Sequence, residues 1–418
     1  MELPPEKVVC DNARYGWSGH FLTAIASIMK DISIAFAGLP VGIWFYLLLF
    51  RGRFWLEQPR PTPDMVLAAW PAVTAVVPAR NEAGVVGQAI GALLQQDYPG
   101  NFRVILVDDN SEDATAAEAR AAAEALQAGD RLTIIKGKPL QQGWTGKMWA
   151  VHQGIAEVDK RLPATDYILL TDADIAHAPD SLRNLVVRAC AGHPKAGRYK
   201  LVSLMAKLRT DTFAEKALIP AYVFFFQKLY PFSWINNPKS RMAGAAGGCM
   251  LVERQALNAA GGIAAIKDAL IDDCALGRVM KKHGPIWLGL ADKVMSLRGY
   301  PAWREIWMLI ARSAFTQLNR STPLLLGCVI GMLATYLLAP NLTIDSDPDI
   351  RLLGVVAWAM MTLSYLPTLY YYRRSVLWAP FLPLIALYYL LATVDSARRH
   401  WLGRGGEWKG RMQAKRAM

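Results

Sequence analysis

The stretch Tyr167-Ile168-Leu169-Leu170-Thr171-Asp172-Ala173-Asp174 decides how the rest of the chain is interpreted. Its first four residues are apolar and have the length of a buried strand, and two aspartates follow at once. Carboxylates this close together are unfavourable unless a cation lies between them. Mg²⁺ or Mn²⁺ bridging a diphosphate would supply that cation. The alternative is an exposed aspartate pair in an ordinary turn.

Apolar runs of similar length lie upstream, and helical stretches separate them. Buried parallel strands that alternate with helices indicate a layered α/β domain with a mostly parallel central sheet. We expect this domain to span residues 72–297. The predicted strands are Val73–Val77, Val104–Val107, Leu132–Ile135 and Tyr167–Leu170, and the predicted helices are Gly84–Gln96, Ala114–Ala128 and Met148–Val158.

A polar motif follows the first predicted strand. Ligands of an open α/β sheet bind beyond the carboxyl ends of its strands, which is where Pro78, Arg80 and Glu82 lie. Pro78 removes the chain from the strand ladder, and Arg80 offers a cation whose geometry matches a phosphate. A surface turn with a solvated pair of Arg80 and Glu82 is equally compatible with this motif.

A second polar motif follows the second predicted strand and contains Asp108, Asp109, Ser111 and Asp113. Carboxylates at this place can accept hydrogen bonds from a nucleobase or a ribose hydroxyl. The same segment precedes an alanine-rich helix, and Ser or Asp is favoured where a helix begins. Both interpretations can hold together, with Asp113 capping the helix and Asp109 binding the ligand.

Glycines mark two further places where a ligand could approach the backbone. Gly146 and Lys147 come directly before a predicted helix, where free backbone amides and a lysine can form an anion site. Gly247 and Gly248 permit close approach of the main chain to a ligand. Each pattern occurs in many proteins, so neither defines a function alone.

Asp272 and Asp273 form an adjacent acidic pair among apolar residues. Burying two neighbouring carboxylates is costly. We therefore expect the pKa of one of them to be raised, and this residue could act as the general base for an acceptor hydroxyl. A pair of aspartates that caps a helix is the alternative.

The chain has a candidate membrane anchor after its first segment, residues 1–31. Ile32–Phe50 is uncharged, and a helix of this length reaches about 28 Å, enough to cross the hydrocarbon core. Arg51 and Arg53 follow it, which places the next domain in the cytosol. A cleaved signal peptide is the alternative. Residues 57–71 contain four prolines and are expected to form a linker.

The part after the domain is expected to be membrane-bound as well. Residues 300–320 carry tryptophan and isoleucine at helical spacing and are expected to lie in the membrane interface, although a core helix fits nearly as well. Residues 323–394 contain three apolar stretches, and residues 395–418 form a basic tail. The apolar stretches are Pro323–Ala339, Leu352–Tyr372 and Val376–Val394.

The topology of this part contains a conflict. Three full crossings after a cytosolic domain would place the basic tail outside the cell, against the positive-inside rule. We therefore expect two to three crossings and one re-entrant or interfacial segment. Val376–Val394 is the favoured candidate because it contains Pro380 and Pro383, and Pro323–Ala339 is also short.

Composition agrees with a protein held at a membrane. The 418 residues are 53% hydrophobic and carry a formal net charge of +12. Such a charge suits an anionic membrane face. A nucleic-acid partner is not expected, since the sequence carries no signature of a nucleic-acid-binding module.

In their order and spacing, the motifs resemble the family 2 glycosyltransferases of GT-A fold, from about Val73 to Leu297. They are PARNE, VDDNSEDAT, GKMWAVHQG, the DxD triplet in TDAD, GGCMLVER and the acidic pair after them. The stretches GWTGKMWA, TDADIAH, FFFQKLYPF, IDDCALG and ARSAFTQL are similar, more narrowly, to the hopene-associated glycosyltransferases, a bacterial group named for hopanoid biosynthesis clusters. The resemblance implies a GT-A domain flanked by transmembrane helices.

The resemblance also implies an inverting, metal-dependent enzyme and gives roles to positions in this chain. Asp273 stands where the family has its catalytic base, Asp174 would bind the metal, and Asp172 would face the ribose. Asp109 would contact the uracil or ribose of a UDP-sugar, with Asp108 behind it. The donor site would further include Pro78, Arg80, Glu82 and Lys147, and Asp272, Gly247, Gly248 and Arg312 would support the base or the acceptor.

A polymerising activity is not expected. Processive polysaccharide synthases of the family carry a Q-x-x-R-W block after the base, whereas Ala311–Phe315 contains no such tryptophan. The expected activity is transfer of a sugar from a nucleotide-sugar to a lipid, a hopanoid in the first place, by a multi-pass protein of the bacterial cytoplasmic membrane. Polyprenyl phosphate or another lipid is the alternative acceptor. A non-catalytic membrane protein that binds nucleotide-sugar is the alternative from another class.

Overall fold

The structure is a computed structural model that describes residues 16–403, 407–408 and 411–412. Residues 1–15 of the predicted N-terminal segment 1–31 lie outside the described residues, as do residues 404–406, 409–410 and 413–418 of the predicted basic tail 395–418. The described chain consists of an α/β domain with apolar helices before and after it.

Eight strands form one mixed sheet at the centre of the domain. They are β1 (Val73–Ala79), β2 (Phe102–Asp108), β3 (Leu132–Lys136), β4 (Tyr167–Thr171), β5 (Ile175–His177), β6 (Leu201–Lys207), β7 (Cys249–Glu253) and β8 (Ile286–Ser296). Their spatial order is β3-β2-β1-β4-β7-β6-β8-β5. The first four strands in this order are parallel and β6 is parallel to β8, whereas β7 is antiparallel to both its neighbours and β5 to β8. The predicted α/β class with a mostly parallel sheet is confirmed.

Each of the four predicted strands lies inside an observed strand. Strand β1 is buried at every position because both faces of the sheet are covered. Val73, Ala75 and Val77 belong to one apolar core, and Val76 belongs to the other. Burial on both sides explains why these strands are continuous apolar runs and not alternating patterns.

Helices cover the sheet and continue into the apolar ends of the chain. They are α1 (Gly16–Ala37), α2 (Leu39–Leu49), α3 (Val86–Leu94), α4 (Thr115–Ala125), α5 (Gly146–Arg161), α6 (Ser181–Ala191), α7 (Phe213–Leu229), α8 (Phe232–Ile235), α9 (Arg254–Ala259), α10 (Asp272–Lys281), α11 (Trp303–Ala311), α12 (Ala314–Gln317), α13 (Thr322–Met332), α14 (Leu338–Leu342), α15 (Pro348–Tyr371) and α16 (Leu382–Trp401). Short 3-10 helices occupy Phe54–Leu56, Gly129–Arg131, Ile263–Ile266 and Val376–Phe381, and a π-helical turn occupies Leu333–Leu337. A separate antiparallel pair consists of β9 (Glu407–Trp408) and β10 (Arg411–Met412).

Within the described part of the chain, four helical segments are long and apolar enough to cross a membrane. They are Ser27–Leu49, Thr322–Leu342, Pro348–Tyr371 and Val376–Trp401. The first differs from the predicted anchor Ile32–Phe50, because the helix begins at Gly16, breaks at Gly38 and resumes as α2. The break follows from Pro40, which has no backbone N–H and displaces the carbonyl of the preceding turn.

The predicted interfacial helix 300–320 is two helices. α11 ends at Ala311, and α12 begins at Ala314. The Phe315 amide donates to the Ser396 hydroxyl oxygen at 3.0 Å and not to a carbonyl of the preceding turn. This side-chain acceptor from α16 interrupts the backbone ladder and explains the break.

Helix α7 of the catalytic domain packs against the apolar helices. The ring of Phe224 packs against Phe54 and Tyr365, with centroids 5.3 Å and 5.2 Å apart. Phe225 packs against Tyr336 with centroids 5.6 Å apart. Tyr336 and Tyr365 lie in two of the candidate spans, so α7 packs directly against the apolar helices.

Candidate active site

A cavity of about 360 Å³ opens beyond the carboxyl ends of β1 and β4. Most of the predicted site residues line it, although they come from separate parts of the chain. They are Pro78, Glu82, Lys147, Asp172, Asp174, Gly247, Gly248, Asp272, Asp273 and Arg312. Their convergence follows from the sheet order, since β1, β4 and β7 are consecutive in space.

The two aspartates after β4 sit in a turn that is held on both sides. The Thr171 hydroxyl donates to the Gly248 carbonyl oxygen at 2.8 Å, which ties the end of β4 to the glycine pair. The Asp174 carbonyl oxygen accepts from the Leu297 amide at 2.7 Å, which ties the turn to the chain after β8. The acidic pair is therefore fixed relative to the rest of the cavity.

Lys147 pairs with two of the carboxylates. Its Nζ lies 2.8 Å from Asp172 Oδ1 and 3.1 Å from Asp272 Oδ2, and only 18% of its side chain is exposed. The residue lies in the first turn of α5, whose N-cap Thr145 accepts from the Met148 amide at 3.3 Å. Burial lowers the pKa of Lys147, but the two carboxylates outweigh burial and leave the pKa raised.

Asp273 lies beside this ion pair, in the first turn of α10. Its Oδ2 accepts from the Gly247 amide at 3.0 Å, and its Oδ1 accepts from the Cys274 amide at 2.6 Å. Burial, and then the charge of Asp272, raises the pKa of Asp273 to about 6. A carboxylate with this pKa is mostly deprotonated at neutral pH and can still take up a proton, as a general base must.

Arg298 binds two further carboxylates. Its Nε lies 2.9 Å from Asp174 Oδ2, and its Nη2 lies 2.7 Å and 3.0 Å from the carboxylate oxygens of Glu82. Burial lowers the pKa of Arg298, whereas Glu82 and then Asp174 raise it by more, so the net pKa is raised. The pKa of Asp172 is also raised, since Lys147 only partly offsets its burial.

The residues present fit a divalent cation that a diphosphate helps to hold. Five carboxylates line the cavity, and Lys147 and Arg298 are paired with four of them. No cluster of three or more His, Cys, Asp or Glu side chains in the described ranges could hold a metal by itself. Mg²⁺ in phosphate-transfer sites binds through one or two carboxylates plus phosphate oxygens. Asp172 and Asp174 meet that description.

Three predicted donor-site residues do not line the cavity. Arg80 donates through Nη1 to the carbonyl oxygens of Asp109 and Asn110 at 2.7 Å and 2.9 Å. The Asp108 carboxylate accepts from the Ser111 amide at 2.9 Å, and Asp109 is fully buried. These residues brace the loop after β2. Main-chain carbonyl oxygens engage Nη1 of Arg80, and its expected phosphate contact stays a prediction.

Helices α7 and α11 supply another part of the cavity lining. α7 contributes Tyr222 and Phe226 to it, and α11 contributes Leu309. Burial raises the pKa of Tyr222 to about 12, so its hydroxyl stays protonated and can donate a hydrogen bond. Arg312, at the end of α11, is exposed and forms no ion pair with the residues that the structure describes.

Sequence reasoning missed Arg298, Tyr222 and Tyr300, which all line the cavity. The predicted domain ended at Leu297, immediately before Arg298. A usable signal was present, since Arg298 follows the carboxyl end of β8 and ligands bind beyond strand ends. Tyr222 lies in a largely apolar helix, and only the packing of that helix reveals which side faces the cavity.

Part of the domain matches a known protein family. Residues 74–259 match the family described as Glycosyl transferase family 2. The matched segment runs from β1 to α9 and contains both aspartates of the DxD triplet. This part of the chain is therefore similar to family 2 glycosyltransferase domains.

Two curated relatives are similar over longer stretches. The beta-monoglucosyldiacylglycerol synthase of Nostoc sp. (strain PCC 7120 / SAG 25.82 / UTEX 2576) is 25% identical over 266 residues, which are 63% of this chain and 51% of that protein. The 4,4'-diaponeurosporenoate glycosyltransferase of Staphylococcus aureus (strain MRSA252) is 24% identical over 351 residues, which are 81% of this chain and 88% of that protein. The chain thus spans about half the length of the first of these relatives.

A solved structure is similar over most of the chain. It is the mannosyltransferase PcManGT from Pyrobaculum calidifontis in complex with GDP-Man and Mn²⁺. The TM-score is 0.54 over 88% of this chain and 99% of that chain, at 19% sequence identity. Similarity at this identity shows the fold alone. Together with the family match, it confirms the predicted GT-A fold.

Proposed function

We propose that the chain is a membrane-bound, inverting glycosyltransferase that moves a sugar from a nucleotide-sugar to the hydroxyl of a lipid. The observation that carries the proposal is the division of one cavity into two halves. Paired carboxylates and cations form the charged half, and side chains of α7 and α11 form the apolar half. Asp273 lies between them, where a proton acceptor is needed.

The charged half is proposed to bind the donor. Asp174 and Asp172 would hold a divalent cation together with the diphosphate, and such a cation neutralises the charge that develops on the leaving group. Lys147 lies in the first turn of α5, where backbone amides and a helix dipole favour phosphate oxygens. Pro78 and Glu82 would complete the wall next to the nucleotide.

A UDP-sugar is the proposed donor, on the resemblance of the motif that contains Asp108 and Asp109. Asp109 would contact the uracil or ribose, with Asp108 behind it. The segment after β3 lies over this motif, since the Gly137 amide donates to the Asp108 carbonyl oxygen at 2.8 Å. Donor binding at Asp109 would therefore require that segment to move.

The apolar half is proposed to bind the acceptor lipid. Phe226 and Leu309 offer apolar surface, and their helices also pack against the apolar helices of the chain. A lipid could therefore reach Asp273 without leaving the membrane surface. The names of the two relatives, which refer to a diacylglycerol and to diaponeurosporenoate, agree with a lipid-like acceptor. The resemblance to the hopene-associated group makes a hopanoid hydroxyl the first candidate.

Asp273 is proposed as the general base of a single displacement. The acceptor hydroxyl would give its proton to the Asp273 carboxylate while its oxygen attacks the anomeric carbon. The bond between that carbon and the diphosphate oxygen breaks in the same step, so the anomeric centre inverts. The Gly247 amide fixes Asp273 Oδ2, and Asp272 orients Lys147.

The membrane location belongs to the same proposal. Arg51 and Arg53 after the first candidate span support, by the positive-inside rule, a catalytic domain on the cytosolic side of a bacterial cytoplasmic membrane. Donor nucleotide-sugars would then reach the cavity from the cytosol, and the lipid would reach it from the inner leaflet.

Transfer by the purified protein tests the proposal. The protein in detergent receives Mn²⁺, one of UDP-glucose, UDP-N-acetylglucosamine or GDP-mannose, and one of a hopanoid alcohol, a diacylglycerol or a polyprenyl phosphate. We expect one combination to yield a glycolipid with an inverted anomeric configuration, and the Asp273→Asn variant to yield far less of it. Donor binding without transfer to any lipid would support the non-catalytic alternative, and a retained configuration would contradict the single displacement.

A further inference from the structure

We propose that residues 376–401 lie along the membrane surface on the side of the catalytic domain, with lipid acyl chains against one face, and do not cross the bilayer. This segment consists of the 3-10 helix Val376–Phe381 and of α16. Its length and composition would allow a crossing. Its contacts at the start, in the second half and at the end exclude one.

The segment starts against the catalytic domain. Lys207 of β6 donates to the Tyr371 carbonyl oxygen at 2.9 Å, and the Tyr371 hydroxyl donates to the Ala291 carbonyl oxygen of β8. The ring of Trp378 then packs against Phe213, the first residue of α7, with centroids 5.5 Å apart. The chain has therefore returned to the catalytic domain before α16 begins.

The second half and the end of the segment contact α11 and α12, the two helices that follow the domain. Trp307 donates through Nε1 to Asp395 Oδ2 at 2.8 Å, and the ring of Phe315 lies 5.7 Å from that of Trp401. Trp307 lies in α11, which lines the cavity. A helix from Trp378 to Trp401 advances about 35 Å, enough to reach the opposite face of a membrane. Its start nevertheless touches the domain, and its end touches α12, whose Gln317 donates to the Tyr230 hydroxyl of the domain.

A different contact marks the opposite face. Lys30 Nζ, in the first candidate span, lies 3.1 Å from Asp347 Oδ2, which directly precedes α15. α15 has 24 residues, which advance about 36 Å along the helix axis. Its other end is the Tyr371 contact with the domain. α15 therefore connects the two faces, whereas the segment 376–401 begins and ends at one.

One face of the segment is apolar and exposed. Leu377, Leu384 and Leu391 recur every seven residues and are 73%, 64% and 50% exposed. Arginines occupy residues 373–374 before the segment and residues 398–399 near its end. An apolar stripe with basic flanks at both ends is typical of a helix that lies on an anionic leaflet. Acyl chains are therefore the occupant that we assign to the stripe.

The proposal resolves the topological conflict in the sequence. Three candidate crossings remain among the described residues, and residues 402–403 then lie on the side of the catalytic domain. The arginines at 373–374 and 398–399 lie on that side too, in agreement with the positive-inside rule.

Depth measurements in lipid vesicles test the proposal. A chain whose native cysteines are replaced carries one cysteine with a fluorophore, at Leu377, Leu384 or Leu391, and the vesicles contain nitroxide lipids labelled near the headgroup or near the chain end. We expect all three positions to be quenched more by the headgroup-proximal nitroxide, with equal ratios. Leu352 and Leu363, which are exposed on α15, are matched controls whose ratios should differ. A quenching ratio that changes steadily from Leu377 to Leu391 would overturn the proposal. The absence of quenching at these positions would also overturn it, because a second copy of the chain would then cover the stripe.

The sidedness of single cysteines in intact cells gives an independent test. Leu402→Cys, Gly129→Cys and Ile344→Cys place thiols after α16, in the catalytic domain and in the loop before α15. All three positions are exposed. We expect a membrane-impermeant maleimide to treat residue 402 like residue 129 and unlike residue 344. Labelling of residue 402 together with residue 344 would overturn the proposal. The comparison does not depend on which side holds the domain, so it stands apart from the proposed function.

Discussion

In the charged half of the cavity, Lys147 and Arg298 each bridge two carboxylates, whereas in the apolar half Phe226 and Leu309 form the wall and Arg312 has no ion pair among the described residues. A ligand that enters the charged half must compete with contacts that the protein already makes. A ligand that enters the apolar half only covers exposed surface. The two halves therefore differ in what a substitution removes.

Electrostatic interactions dominate the energetics of the charged half, and apolar contact area dominates the energetics of the apolar half. Removing one partner of a buried ion pair typically costs about 3–5 kcal/mol, because a charge is left buried without compensation. Truncating a partly exposed apolar side chain removes only part of the about 1.5–3 kcal/mol that full burial contributes. We therefore expect large effects in the charged half and moderate effects in the apolar half.

The largest effect is expected from Asp174→Ala. The variant removes the carboxylate proposed to hold the cation, so transfer should fall below detection and donor binding should weaken. Radiolabelled transfer and calorimetric titration with donor and Mn²⁺ measure the two quantities. Asp130→Ala, at an exposed aspartate far from the cavity, is the control and should behave like wild type. Full wild-type activity in excess EDTA would contradict the role of the metal.

Lys147→Met should destabilise the fold as well as the donor site. The substitution leaves Asp172 and Asp272 without their shared cation, at a cost of about 3 kcal/mol in the free energy of unfolding. Thermal unfolding measures the loss, and Lys147→Arg, which keeps the charge, should recover most of it. Lys147 lowers the pKa of Asp172, so its removal raises that pKa further, and the folded variant gains more stability than the folded wild type as pH falls. The loss in Tm should therefore be smaller at acidic than at alkaline pH; the opposite trend would refute the pairing.

The pH dependence of transfer should have an acidic limb near pH 6. Burial and Asp272 raise the pKa of Asp273 to about 6, and only its deprotonated form can accept the proton of the acceptor. The value of kcat/KM should then fall about tenfold per pH unit below that pKa and level off above it. Measuring the rate of transfer at pH values on both sides of that pKa shows whether transfer falls or rises on acidification. A rate that rises on acidification would show that the proton acceptor is another group.

The smallest effect is expected from Phe226→Ala in the apolar half. Loss of apolar contact should raise the acceptor KM about tenfold, equivalent to about 1.4 kcal/mol, while the donor Kd stays constant. Kinetics at varied lipid concentration measure the change. Leu229→Ala is the matched control, because Leu229 is exposed on the same helix and does not line the cavity. Weaker donor binding in the Phe226→Ala variant would contradict the assignment of donor and acceptor to separate halves of the cavity.

The local features of the fold were predictable from the sequence. Strands β1 to β4 are apolar runs next to helices, and Asp172 and Asp174 directly follow the end of a strand. Predicting these strands and this acidic pair therefore requires no knowledge of distant residues. At the start of α4, the Asp113 carboxylate accepts from the Thr115 amide at 3.0 Å, but the N-cap position is held by Ala114, one residue after the aspartate that was expected to cap the helix.

Features that depend on distant contacts were not predictable. The run Cys249–Glu253 carries no signal for its antiparallel direction, since a short apolar strand has the same pattern in either orientation. Arg298 pairs with Glu82 across 216 residues of chain, and Arg80 turns to carbonyl groups that only the fold brings near. The path of residues 376–401 was not predictable for the same reason. The composition of this segment allows a membrane crossing, and only its contacts with distant residues favour a path along the membrane surface.

The most direct test of the account compares Asp273→Asn with Asp272→Asn, because Asp273 is where the two halves meet. Asp273→Asn keeps the shape of the side chain and removes the proton acceptor, so kcat should fall about 10²–10⁴-fold. The donor Kd, measured on the same preparation with Mn²⁺, should stay within about twofold, since less than 0.5 kcal/mol of binding is at stake. Asp272→Asn, which loses a contact with Lys147, should reduce kcat less. A donor Kd that weakens in step with kcat in Asp273→Asn, or a larger loss of kcat in Asp272→Asn, would contradict the assignment of the base.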